Sequence, residues 1–216
     1  MPVSRELVPA PPDAGARAAA EDIFGDRLAA AARYAGWLAG PGATRGVVGP
    51  REAGRVWDRH LLNCALVADL VPAAAHVVDV GSGGGLPGVV LALARPDVRV
   101  TLVDSMARRT LFLTDVVADL ALSPRVEVVR ARAETLRLRA DVATARAVAD
   151  LATVAAWSAG LVRPAGLLLA IRGAGAHADL AAQSGPVSAA GWQDAEVVAR
   201  THDGVTPCHV VRAVHR

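Results

Sequence analysis

Val77-Val78-Asp79-Val80-Gly81-Ser82-Gly83-Gly84-Gly85-Leu86-Pro87-Gly88 is the stretch on which the fold turns. Strand-forming residues run without a break into a turn rich in glycine, and residues 89–94 after it are apolar and helix-compatible. The order is strand, tight loop, helix. Glycine lets a backbone come close to a ligand, and the free N–H groups at a helix start attract negative or electron-rich groups. The loop reads as a nucleotide cradle.

Outward from the loop, strand and helix alternate with the spacing of βαβ units and a parallel sheet. Strands are expected at 77–80, 98–103, 126–129, 142–145 and 167–171, with helices at 89–94, 107–120 and 151–161. A short helix at 176–183 then gives way to two β-rich runs, 195–200 and 209–214, which predict an antiparallel hairpin on the sheet edge. Upstream, Phe24, Leu28, Ala31, Ala35 and Leu38 recur at helical steps and predict one helix over 13–39, ended by Gly40-Pro41-Gly42. A second helix is predicted over 50–70, with Trp57, Leu61, Cys64 and Ala68 on one side and Arg51, Arg55 and Arg59 on the other. The first twelve residues hold prolines at 2, 9, 11 and 12 and are expected to be loosely ordered. This divides the chain into an N-terminal helical extension, 1–72, and an α/β unit, 73–216.

With 216 residues the chain can bury a real core but not two domains of full size. It contains no lysine, so all 23 basic residues are arginines, nearly balanced by 21 acidic ones. Two cysteines far apart, Cys64 and Cys208, suit a reduced compartment, and no run of about 18 to 20 apolar residues suggests a membrane span. The start lacks the apolar segment of a signal peptide. These features point to a cytoplasmic protein, taken as a monomer.

Two cofactor frames compete in the loop. Gly83-x-Gly85-x-x-Gly88 satisfies the dinucleotide fingerprint, whereas Asp79-x-Gly81-x-Gly83-x-Gly85 is the loop of S-adenosylmethionine (SAM) methyltransferases. A dinucleotide fold places its first glycine directly after the strand. Here that residue is Gly81, which favours SAM, and Asp79 suits a cofactor with a positively charged tail. Asp104, closing the second strand, can accept both ribose hydroxyls in either class. Ala133-Glu134 follows the third strand, where methyltransferases commonly hold adenine.

The chain resembles the ribosomal small-subunit methyltransferase G family (RsmG, also called GidB), whose members methylate N7 of one guanine in 16S rRNA. The resemblance spans about residues 46–172 and rests on Trp57-Asp58-Arg59-His60-Leu61-Leu62-Asn63, on Leu86-Pro87-Gly88 closing the glycine loop, on Arg108-Arg109-Thr110-Leu111-Phe112-Leu113 and on Ala145-Arg146-Ala147. It implies a Rossmann-like class I SAM-dependent methyltransferase fold acting on 16S rRNA or the small subunit. It also implies that Gly81, Leu86, Ala133, Glu134 and Arg146 line the SAM site, with Gly83 and Gly85 in the loop, and that Arg59 and His60 stand near its entrance. Where the family usually has Lys-Gly after the fifth strand, this chain has Arg172-Gly173.

Methylation of guanine N7 fits the rest of the chain. The N7 lone pair is exposed and bears no proton, so positioning rather than a general base should supply most of the acceleration. Consistent with that, no catalytic triad or metal-ligand cluster stands out. After the fourth strand, Asp141-Val142-Ala143-Thr144-Ala145-Arg146 also lacks the Asn/Asp-Pro-Pro-aromatic motif of exocyclic-amine methylation. Arg108 and Arg109 sit in a helix's first turn, where the macrodipole disfavours cations; with Arg51, Arg55, Arg59 and Arg172 they form a candidate track for rRNA phosphates. Arg146 is open to three roles, binding the SAM carboxylate, stacking on the base or holding a phosphate. The Pro-Cys pair in Thr206-Pro207-Cys208 lies after all the cofactor strands and reads as structural. Rival readings are an NAD-dependent oxidoreductase, for which one tyrosine, Tyr34, and no lysine leave no Tyr-x-x-x-Lys pair, and a non-catalytic RNA-binding assembly factor that keeps SAM as a structural ligand.

Overall fold

The computed structural model describes residues 9, 11 and 13–216, without the side chains of 50, 51 and 53. The expected loose start therefore falls almost wholly outside the described residues, as does the side chain of Arg51. Seven strands make one sheet: β1 His76–Val80, β2 Arg99–Asp104, β3 Val126–Arg130, β4 Ala140–Arg146, β5 Val162–Arg172, β6 Trp192–His202 and β7 Val205–His215. Their order is β3-β2-β1-β4-β5-β7-β6. The first five run parallel, and β7 enters antiparallel between β5 and the edge strand β6. After β1 the chain builds outward through β2 and β3, then returns to place β4 on β1's other side. That reversal opens a crevice beyond the carboxyl ends of β1 and β4, where open α/β sheets bind ligands.

Both faces of the sheet are covered, as an all-parallel core requires. Side chains alternate along each strand, so Val77 enters one apolar cluster and Val78 the other. On the first face lie α1 Ala14–Phe24, α2 Leu28–Trp37, the short α3 Asn63–Ala65, α4 Gly88–Ala94 and α5 Ala107–Asp119; on the second lie α6 Leu151–Ala159 and α7 Ala176–Ala189. The helical residues 14–70 share their apolar cluster with Val77, Leu169 and Val210 of the sheet.

Several boundaries differ from expectation for local reasons. The predicted helix over 13–39 is two: Gly25, with φ of 48°, ends α1, and a 3₁₀ turn, Gly25–Arg27, leads into α2. Gly40-Pro41-Gly42 does not stop the second piece, because a wide π-type turn, Leu38–Gly42, carries Pro41 within it. The 50–70 segment is a relay of 3₁₀, π, α and 3₁₀ turns that ends, as expected, just before Pro72. Strand β5 starts five residues before Leu167, passing through Ala165 at φ 61° beside a register shift at Ala140/Val142. Helix α7 runs on to Ala189 with Pro186 inside it, and β6 begins at Trp192 rather than Ala195.

Arginine holds much of this together. Arg27 Nε donates to the Leu93 carbonyl at 2.6 Å and Arg125 Nη2 to that of Ala92 at 2.6 Å, capping the last turn of α4 with cations where the helix dipole favours them. Arg95 Nη1 reaches the carbonyls of Ala68 and Val71 at 2.9 and 2.7 Å, binding the helical region to the end of α4. From α2, the buried Tyr34 hydroxyl donates to the Gly84 carbonyl at 2.8 Å and props the glycine loop from outside the sheet. Tyr34→Phe should leave that buried acceptor unpaired and cost about 1–3 kcal/mol in chemical denaturation, with no change of fold by circular dichroism.

Candidate active site

The glycine loop takes backbone that other residues rarely adopt at Gly81, Gly83 and Gly85, and at two of these a side chain would also clash. Gly81 has φ of 68°, and a methyl there would run into Val148 Cγ2; Gly85 has φ of 98°, and a methyl there would strike Val89 and the Tyr34 hydroxyl. Two carboxylates then lace the loop to the strands. Asp79, next to last in β1, is fully buried; it accepts the Gly88 N–H at 3.0 Å and the Thr144 hydroxyl at 3.2 Å. Asp104 at the end of β2 accepts the N–H groups of Gly83 at 3.0 Å and Met106 at 2.8 Å, and Arg109 Nη1 at 3.3 Å.

Two cavities open at the carboxyl ends of the strands. The smaller, about 150 Å³, is lined by Gly81, Asp104, Arg109, Ala133, Glu134 and Trp157 among others. The larger, about 870 Å³, lies over β4 and β5; its wall includes Arg55, Arg59, Asn63, Arg146, Arg172 and His209. Val148 lines both cavities.

The description rRNA small subunit methyltransferase G matches this chain across residues 27–204. The chain belongs to that family. Among similar relatives, the ribosomal RNA small subunit methyltransferase G of Salinispora tropica is 51% identical over 187 residues, covering 83% of this chain and 77% of its own. That of a Nocardioides species is 50% identical over 215 residues, 98% of this chain and 84% of its own. Solved structures agree on the fold. The S-adenosylmethionine-dependent methyltransferase SibL has a TM-score of 0.62 at 21% identity, over 84% of this chain and 61% of that one. A SAM dependent methyltransferase from Aquifex aeolicus has 0.52 at 17%, over 67% and 84%.

Of the site residues singled out from sequence, Gly81, Asp104, Ala133 and Glu134 meet in the smaller cavity, and Arg59, Arg146 and Arg172 in the larger. Others are placed differently. Leu86 is half-buried against the core and lines neither cavity, while Gly83 serves the loop through its N–H to Asp104. Asp79 faces inward, where it ties loop to sheet, rather than toward a cofactor's charged tail. His60 is not at the entrance but buried; its Nε2 stands 3.1 Å from a Glu52 oxygen, off hydrogen-bond geometry. Arg109 lines the smaller cavity, its Nη1 on Asp104, whereas Arg108 is exposed.

The arginines of the larger cavity are unequal. Arg146 Nη2 donates to the Arg59 carbonyl at 2.7 Å and Nη1 to Cys64 Sγ at 3.1 Å, so it clips the helical segment onto the end of β4. Arg172 forks onto Asp179 at 3.2 and 3.1 Å and donates Nη1 to the Ala149 carbonyl at 2.8 Å. Thr206 and Pro207, set aside in sequence as part of an edge hairpin, line this cleft because β7 lies inside the sheet. Cys208 beside them is buried, its thiol pushed up to about 12 by burial, which fits a structural role. Val148 and Trp157 carried no sequence signal, since an apolar residue after a strand looks like core.

Burial raises the Asp79 carboxyl to about 6, against hydrogen bonds from Gly88 and Thr144 that favour its charge. Its folded pKa lies above the unfolded 3.8, so the folded state holds the proton more tightly, and stability falls as pH rises from about 4 to 6. His60 acts oppositely. Burial, then Arg146, lower it from 6.5 to about 4, so stability falls as pH drops through that window. The two offset each other in the native protein. Asp79→Asn should therefore expose the His60 slope, making urea stability decrease more steeply on acidification from pH 6 to 4, and His60→Gln should do the reverse.

Proposed function

We propose that the chain methylates N7 of a guanine in 16S rRNA of the small ribosomal subunit, using S-adenosylmethionine, as a monomer in the cytoplasm. Family membership supports the activity; the single structural observation that carries the site is the pair of cavities meeting at Val148 beyond the ends of β1 and β4. The smaller suits the adenosine half. Asp104 would accept the ribose hydroxyls as Arg109 and the loop hold its carboxylate in place, and Ala133 and Glu134 would flank the adenine. At about 150 Å³ it is below the roughly 300–1,000 Å³ of ligand sites, so the rest of the cofactor would extend toward the arginine-lined cleft.

When bound, S-adenosylmethionine supplies a methyl on a sulfonium: the guanine N7 lone pair forms the new C–N bond and the C–S electron pair stays with sulfur. Nothing has to remove a proton from N7, so the chain's task is to hold the base in line. Arg146, at the end of β4 with its orientation fixed by the Arg59 carbonyl and Cys64, is assigned to the wall where base and cofactor meet. The exposed Arg55, Arg59 and Arg108 supply the phosphate contacts, and their screening by salt should make rRNA affinity fall as salt rises.

The test is calorimetry with SAM and with NADH, followed by transfer of labelled methyl to naked 16S rRNA and to small subunits, with the product base identified. SAM binding and 7-methylguanine are expected; NADH binding without SAM would restore the oxidoreductase reading, and SAM binding without transfer the assembly-factor one. Arg108→Glu should raise the KM for rRNA and flatten its salt dependence by about one unit of slope, leaving SAM affinity unchanged. Arg109→Glu, which sets a second carboxylate beside Asp104, should instead weaken SAM binding about tenfold or more.

A further inference from the structure

We infer that Val148 is the partition between the methyl donor and the target base, and that Arg172 is the positioning residue that sets it; the inference rests on the methyltransferase reading above. Val148 lines both cavities, and its Cγ2 sits directly over Gly81, where even a methyl on the glycine would collide with it. Among the described residues Val148 is the one common to the two linings. A β-branched residue is apt for the task, because its χ1 is stiff and its position follows the backbone that carries it.

That backbone is short, strained and held at both ends. Ala147 takes φ of 53°, in the left-handed region that alanine disfavours. Before it, Arg146 is bound to the Arg59 carbonyl and Cys64; after it, the Ala149 carbonyl accepts Arg172 Nη1 at 2.8 Å. Arg172 is itself fixed, since Nε and Nη2 fork onto Asp179 and its side chain is only 15% exposed. A guanidinium spent in this way has little left for phosphate. Its planar fork can hold a carboxylate and a carbonyl at once, which a single ammonium does less well. Arg172 thus acts at a distance, by fixing where Val148 stands between donor and acceptor.

The test compares Arg172→Met, Arg172→Lys, Val148→Ala and the Arg172→Met/Val148→Ala double variant in the full chain. Arg172→Met should lower kcat for small-subunit rRNA about tenfold, with the rRNA KM and the SAM Kd each within about threefold of wild type, and Arg172→Lys should recover part of the loss. In the Val148→Ala background the Arg172→Met loss should shrink, because the group it positions is gone. Amide hydrogen exchange across residues 147–150 should speed up in Arg172→Met while the denaturation midpoint confirms folding. A raised KM with kcat kept would make Arg172 a phosphate contact and overturn the inference, as would fully additive losses or unchanged exchange. If wild type transferred no methyl to small-subunit rRNA, the functional reading would fall by itself; exchange would still decide the Arg172 tether.

Discussion

A single buried carboxylate fixes the geometry on which the site depends. Asp79, next to last in β1, has no solvent contact, yet reaches forward to the Gly88 N–H at the start of α4 and sideways to Thr144 on β4. Loop exit, central strand and neighbouring strand are thereby locked at one point, and the crevice at the β1/β4 reversal has a defined floor. Burial makes the group expensive in its charged form. An apolar residue would leave the Gly88 N–H without its acceptor, so with aspartate the loop's shape is obtained at some expense in stability above pH 6.

The sheet was legible because its signals are local. Unbroken apolar runs such as Val77-Val78 and Val100-Thr101-Leu102-Val103 mark strands buried on both faces, and glycine or proline brackets them. That Gly81, Asp104 and Ala133-Glu134 would lie together could be read because each follows or closes a strand, and strand order brings those ends to one cavity. The helical segments before residue 72 were less legible. Their apolar residues face the core as expected, but Gly25, Pro41 and the turns of 50–70 change the helix type without changing which side is buried. Direction was hardest. Nothing in the letters says that Asp79 and His60 point inward, that Arg109 turns to Asp104, or that a valine lines two cavities, since these depend on contacts between residues far apart.

An arginine-rich, lysine-free chain invites the reading that its cations serve nucleic acid. Position divides them. Arg27, Arg95 and Arg125 reach backbone carbonyls and act as clamps, Arg146 and Arg172 reach backbone as well but from the wall of the cleft, and Arg55, Arg59 and Arg108 remain exposed. The planar guanidinium, with its several donors, is what allows one residue type to fill all three roles. Net charge is a poor guide here, because the cations open to an anionic partner are the exposed ones, and of these Arg59 and Arg55 are shared with Glu52 at 3.0 Å and Asp58 at 3.7 Å.

The insertion of β7 between β5 and β6 sets a timetable for the chain. β6 has β7 as its paired neighbour in the sheet, and β7 follows every other strand in sequence. The edge strand therefore leaves the ribosome with nothing to pair against, and the flank of β5 stays open until residues 205–215 arrive. Through that interval β5 and β6 both offer free backbone to any passing strand, the circumstance in which half-made sheets aggregate. Synthesis that stalls within this hairpin would thus yield a chain already carrying the whole glycine loop, yet prone to stick to its own kind.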